Sequence, residues 1–213
     1  MSIAIIALEY LEPEYIKTVN SIKECGLPVF YAKRDGVGNM SRAFNDAFKK
    51  YVENAGFEFV WFITNITFEK DVPGILAGAL ESDRALAAVH PVMDNSDHQH
   101  LWNGHTGIAR TVPFIEFTAP MFRSSYFSKF MLDENLWYYY MDLEICYRMR
   151  QSGFGVAVHD KAEIGHVYLR HSKSHHQISA IRKQLREYIS PLNKAYLTSK
   201  YREQWPQLFG WKE

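Results

Sequence analysis

The sequence predicts an α/β domain: a mixed, mostly parallel central sheet flanked by helices, with a helical extension at the carboxyl end. Three observations carry that expectation. Short apolar runs alternate with segments of helical period through the first half of the chain. The runs are rich in β-branched and aromatic residues and are continuously apolar, as in strands covered on both faces. Hydrophobic residues make up 47% of the 213, and aromatic ones 15%, enough to build a sizeable core and to exclude a disordered chain.

The elements follow in order. Ile3 to Leu8 (IAIIAL) predicts a first buried strand. Glu12 to Lys23 predicts a helix, with Pro13 in its first turn, Ile16, Val19 and Ile22 on one face, and Gly26 closing it. LPVFYAK is a second strand ending near Lys33, and Ser41 to Val52 a helix with Phe44, Ala47, Phe48 and Tyr51 turned inward. Phe57 to Thr64 is a third strand, Asp71 to Glu81 a helix, and Ala85 to Val92 a fourth strand. The alternation then changes. Asp94 to His105 is a polar, His-rich loop, Phe114 to Phe122 a strand, Tyr139 to Ser152 a helix stopped by Gly153, and Gly155 to His159 a last short strand. From about Ser172 the pattern is mostly helical. In parallel sheets ligands collect at the carboxyl ends of the strands. Here those ends are Leu8–Tyr10, Lys33–Gly38 and Thr64–Thr67.

Twenty-four Lys and Arg balance 24 Asp and Glu, so net charge gives no support to a nucleic-acid partner. Cys25 and Cys146 lack metal-ligand spacing and are expected as buried thiols in a reducing compartment. The start of the chain is unlike a signal peptide, and no apolar run approaches the ~20 residues of a membrane span. The expected location is the cytoplasm, with the aromatic and basic tail suited to a peripheral membrane or partner contact. Membership of a larger multidomain protein remains open.

Asp142 falls where a helix should begin, after the aromatic run Trp137 to Tyr140. On spacing alone it is a charge favoured by the helix dipole. Glu144, two residues on, points elsewhere, and with Arg148 it has the spacing of a surface ion pair. Among nine histidines, His171 and His175 are four apart but lack a third ligand at a sensible spacing.

The stretch FTAPMFRSSYFSKFMLDENLWYYYMDLEICYRMRQSGFGVAVHDKAEIGH resembles the second half of the family 2 glycosyltransferases of the GT-A fold. The landmarks are Arg123, Asp133–Glu134, Asp142, Arg148, Gly153–Phe154 and His166. Met141 stands where that family has the first residue of an acidic pair. The resemblance implies residues 1–170 as a GT-A domain and 171–213 as its helical extension. It also implies inverting transfer from a nucleoside-diphosphate sugar, UDP-linked for preference, to a glycan or glycoprotein hydroxyl, with Asp142 as general base. Leu8, Glu9, Lys33, Asp35, Gly38, Arg42, Thr64 and Asn65 would then bind the donor. Trp102 and Arg123 would meet the acceptor or form a lid, and Asn45 would pack a helix or brace a loop rather than bind a ligand. The family's Asp-X-Asp position reads Thr64–Asn65–Ile66–Thr67 here. Mn²⁺ or Mg²⁺ would therefore have to lean on His166 or Asp71, or its task fall to Arg42 and Lys33. The missing carboxylates also leave open a nucleotide-sugar-binding domain that has lost catalysis.

Overall fold

In a computed structural model, which describes residues 1–9, 15–33, 38–93, 107–166 and 185–202, the apolar runs become strands of one sheet. β1 (Ile3–Leu8) lies between β2 (Val29–Ala32) and β3 (Phe59–Ile63), parallel to both. β5 (Leu86–Met93) runs parallel to β8 (Gly155–His166). Between these two blocks β7 (Met121–Arg123) is inserted antiparallel to β3 and β5. β4 (Ile66–Phe68) and β6 (Ala109–Val112) pair antiparallel with different parts of β8. The order across the sheet is β2-β1-β3-β7-β5-β8-β4.

The strand period of two sorts side chains to two faces. Ala4, Ile6, Leu8, Val60 and Phe62 join one core with α2 (Met40–Tyr51), α4 (Ser124–Phe130) and α5 (Met141–Gln151). Ile3, Ile5, Ala7, Trp61 and Ile63 join the other, beneath α1 (Tyr15–Cys25) and α3 (Val72–Ser82). Both faces of the central strands are thus covered, which their unbroken apolar runs require. α6 (Ser190–Tyr201), preceded by a π-helical turn over Leu185–Ile189, adds Leu197 to the first core. Cys146 is buried and Cys25 half-buried, both as free thiols.

Several boundaries differ from the expected ones. The strand expected over 114–122 shrinks to Met121–Arg123, because Pro113 and Pro120 have no N–H to give a ladder. Residues 113–120 instead form a loop whose Pro120 and Thr118 carbonyls accept from the Phe62 and Thr64 amides at 3.0 Å each. The short elements β4, β6 and α4 were not expected. β8 runs past His159 to His166, its partner on β5 shifting between Pro91 and Val92. No described helix is long and apolar enough to cross a membrane.

Candidate functional site

β7 runs opposite to β3, so the loop leading into it lies at the carboxyl end of β3, beside the ends of β1 and β2. Phe117 locks this loop into the core. Its ring lies 5.3 Å from both Phe44 and Phe62, centroid to centroid. On either side of that anchor stand Glu116 and Thr118. Thr118 accepts from the Thr64 hydroxyl at 3.2 Å through its carbonyl, while its own hydroxyl donates to Glu116 Oε2 at 3.3 Å.

Asp142 meets the same loop from the first turn of α5. Asp142 is half-buried, and loss of solvent around its carboxyl is the main cause that pushes its pKa up to about 6. The amide of Leu143, which donates to Oδ1 at 2.9 Å, opposes the rise; the Glu116 carboxylate adds to it. The amide of Phe117 gives a further, smaller stabilisation of the anion. Among the described residues no cation pairs with Asp142. A carboxylate poised near neutral pH at a strand-end edge can accept a proton.

Glu144 is treated differently. It is fully buried, and Arg148 holds it at 2.8 Å, Lys200 at 2.7 Å and the Tyr201 hydroxyl at 2.7 Å. The expected surface ion pair with Arg148 does form, but inside the protein. Arg148 also donates to the carbonyls of Phe130 and Met131 at the end of α4, where a cation suits the helix dipole. Asp133 belongs to this network. Burial raises its pKa, but hydrogen bonds from Lys200, Tyr196 and Asn135 outweigh that and hold it at about 2. Met141, at the other position of the family's acidic pair, is 2% exposed, and its sulfur accepts from Ser41 Oγ at 3.2 Å.

The remaining expected residues divide by place. Leu8, Glu9, Lys33, Thr64 and Asn65 lie at the carboxyl ends of β1, β2 and β3, with the Glu9 amide donating to Ala32 at 3.0 Å. Gly38 and Arg42 flank the start of α2, where the Asn39 side chain caps the helix by accepting from the Arg42 amide. Arg42 is exposed and pairs with Glu134 at 3.0 Å. Asn45 exchanges two hydrogen bonds with Leu132, at 2.9 and 3.0 Å, so of its two expected roles it takes that of a loop brace. Arg123 does not join the site. It pairs with Phe59 at the amino end of β3, and its guanidinium donates to the carbonyls of Leu80, Asp83 and Leu86. Asp35 and Trp102 lie outside the described residues, and so do the His98–His100 and His171–His176 clusters. His166 is described by its backbone alone, opposite Ile66.

Glu116 was not anticipated. The signal for it is a lone carboxylate in the apolar run PFIEF, where a strand would have had to bury it. The β3–β4 turn, by contrast, does not fit a divalent cation clasped by carboxylates. Ile66 is fully buried, Thr64 spends its hydroxyl proton on Thr118, and Asp71 stands exposed at the head of α3. Among the described residues no three His, Cys, Asp or Glu side chains converge. An open groove of about 370 Å³ lies away from this edge, lined by Gly74, Gly78 and Ser82 of α3 and by His159 and Lys161.

No family model and no curated protein matches the sequence. Solved structures do. A mannosyltransferase from Pyrobaculum calidifontis, PcManGT, in complex with GDP-Man and Mn²⁺, superposes with a TM-score of 0.61 at 14% identity, over 85% of this chain and 61% of its own. GalNAc-T7 with UDP, GalNAc and Mn²⁺ gives 0.58 at 10% identity, over 79% and 44%. TarS of S. aureus gives 0.54 at 12%, over 95% and 44%. The fold is GT-A. This GT-A domain spans about half the length of the structures it matches. Its Asp142 edge is the carboxyl-end edge at which open α/β sheets bind ligands.

Proposed function

We propose that the domain is an inverting glycosyltransferase, with residues 1–170 as its GT-A unit and 171–213 as a helical extension of it. The donor is a nucleoside-diphosphate sugar, UDP-linked for preference, and the acceptor a hydroxyl of a glycan or glycoprotein. The proposed setting is cytoplasmic. Asp142 carries the reading: a carboxyl with its pKa raised to about 6, without a described cation partner, at the edge where three strand ends meet.

In the proposed reaction the acceptor oxygen attacks the anomeric carbon. Its proton passes to Asp142, the bond from the anomeric carbon to the phosphate oxygen breaks, and the nucleoside diphosphate leaves on the opposite face. Leu8, Glu9, Asp35 and Gly38 would take the nucleoside. Lys33 and Arg42 would face the diphosphate, and Thr64 and Asn65 the sugar. Trp102 would meet the acceptor. The Mn²⁺ bound in two of the similar structures belongs to those proteins. Here the β3–β4 turn, Thr64–Asn65–Ile66–Thr67, offers no carboxylate for one.

The same turn favours one rival, a domain that binds nucleotide sugars without transferring them. Incubation with UDP-, GDP- and dTDP-sugars and a panel of glycan acceptors, with and without Mn²⁺, separates the two. Product of inverted anomeric configuration by NMR supports the transferase. Calorimetric donor binding without product supports the rival, and product of retained configuration contradicts the mechanism.

A further inference from the structure

Tyr140, immediately before α5, has φ 67° and ψ 0°, a left-handed conformation that costs a residue with a Cβ. Such strain persists only where the surroundings over-determine it, and it collects at functional positions. The α5 amino terminus has no side-chain cap of its own. Among the described residues, α6, some 50 residues away in sequence, reaches this turn with two hydrogen bonds. Asn193, 4% exposed, donates its side-chain amide to the Tyr139 carbonyl at 3.0 Å. The Tyr140 hydroxyl and Ser190 Oγ share a hydrogen bond of 3.1 Å. The Tyr140 carbonyl, aimed by that geometry, accepts the Glu144 amide at 2.9 Å and so opens the helix. Further along α6, Leu197 is buried in the core, and Lys200 and Tyr201 reach Glu144. α6 therefore grips α5 on both sides of Asp142, at residues 139–140 and at 144.

We propose that Asn193 and Ser190 are positioning residues for the reaction: by clamping the left-handed Tyr139–Tyr140 turn they fix the Asp142 carboxylate against the acceptor hydroxyl. This rests on the transferase reading above and assigns part of the catalytic apparatus to α6. A helix that contributed only packing would, when weakened, lower stability without separating turnover from donor binding. A clamp separates them, because the donor is held by the ends of β1–β3 and by α2.

The experiment is a mutant cycle on the whole chain. Asn193→Ala should lower kcat by roughly tenfold or more, as displacement of a catalytic group by a fraction of an ångström does. Donor Kd should stay within about twofold, and the amides of Leu143 and Glu144 should exchange faster with solvent. Ser190→Ala, which deletes a single hydroxyl, should act in the same direction and less. Glycine takes the left-handed conformation without steric cost. In a Tyr140→Gly parent the further loss from Asn193→Ala should therefore shrink to under about threefold, a non-additivity expected of coupled sites. Unchanged kcat in both single variants would overturn the clamp. So would an equal loss in the Tyr140→Gly parent, or a fall in kcat matched by donor affinity. If the wild-type chain transfers no sugar, the transferase reading fails by itself. Amide exchange then still decides: acceleration confined to residues 141–144 upholds the clamp, and unchanged exchange refutes it.

Discussion

Two faces of α5 carry carboxylates two residues apart, and the protein treats them in opposite ways. On the face toward α6, Glu144 is fully buried and surrounded by Arg148, Lys200 and Tyr201, so its charge is met on every side. On the face toward the 113–120 loop, Asp142 receives backbone amides and the adverse field of Glu116. A buried carboxylate so fully matched is fixed in place. One held, among the described residues, by backbone amides and near a like charge stays close to its titration point. The contrast separates architecture from chemistry on a single helix: Glu144 holds α4, α5 and α6 together, and Asp142 is left able to exchange a proton.

The largest effect that would break this contrast is Asp142→Asn. It should cut transfer by about 10³-fold or more, since an amide cannot take the proton, with donor affinity within about twofold by calorimetry. Its stability should move the other way. A carboxyl whose pKa is raised on folding destabilises the native state above about pH 6 and does so less as the pH falls toward 4. The Asn variant should therefore melt higher than wild type at pH 8, an advantage that disappears at pH 4. Glu144→Ala should destabilise the protein instead. Removing one partner of a buried ion cluster costs on the order of 3–5 kcal/mol, read as a large drop in Tm at pH 8. Arg42→Ala is the smallest of the three. Its guanidinium is exposed and paired with Glu134, so stability should change little, while donor KM rises about tenfold through loss of the proposed phosphate contact.

The sequence made the local elements legible and much of their long-range arrangement obscure. Strands with unbroken apolar runs, such as Ile3–Leu8, and helices with a clean inward face, such as Met40–Tyr51, follow from local pattern. Asp142 was placed at a helix start by its neighbours, and the structure puts it there. What pattern could not show is long-range. Glu116 comes to Asp142 only because β7 runs backward between β3 and β5. The burial of Glu144 depends on Lys200, 56 residues away. Arg123 matched a family landmark, yet antiparallel pairing with Phe59 carries it to the far end of the sheet. A period of two or 3.6 predicts which face a side chain takes within its own element. It says nothing about which end of a neighbouring strand will lie beside it.

The most direct test of the account is the pH dependence of kcat/KM for wild type and for Glu116→Gln. With Asp142 as base, the wild-type rate should fall tenfold per unit of pH below about pH 6, and loss of the Glu116 charge should move that limb to lower pH. An acid limb at the ordinary carboxylate value of about 4, unmoved by the substitution, would contradict it.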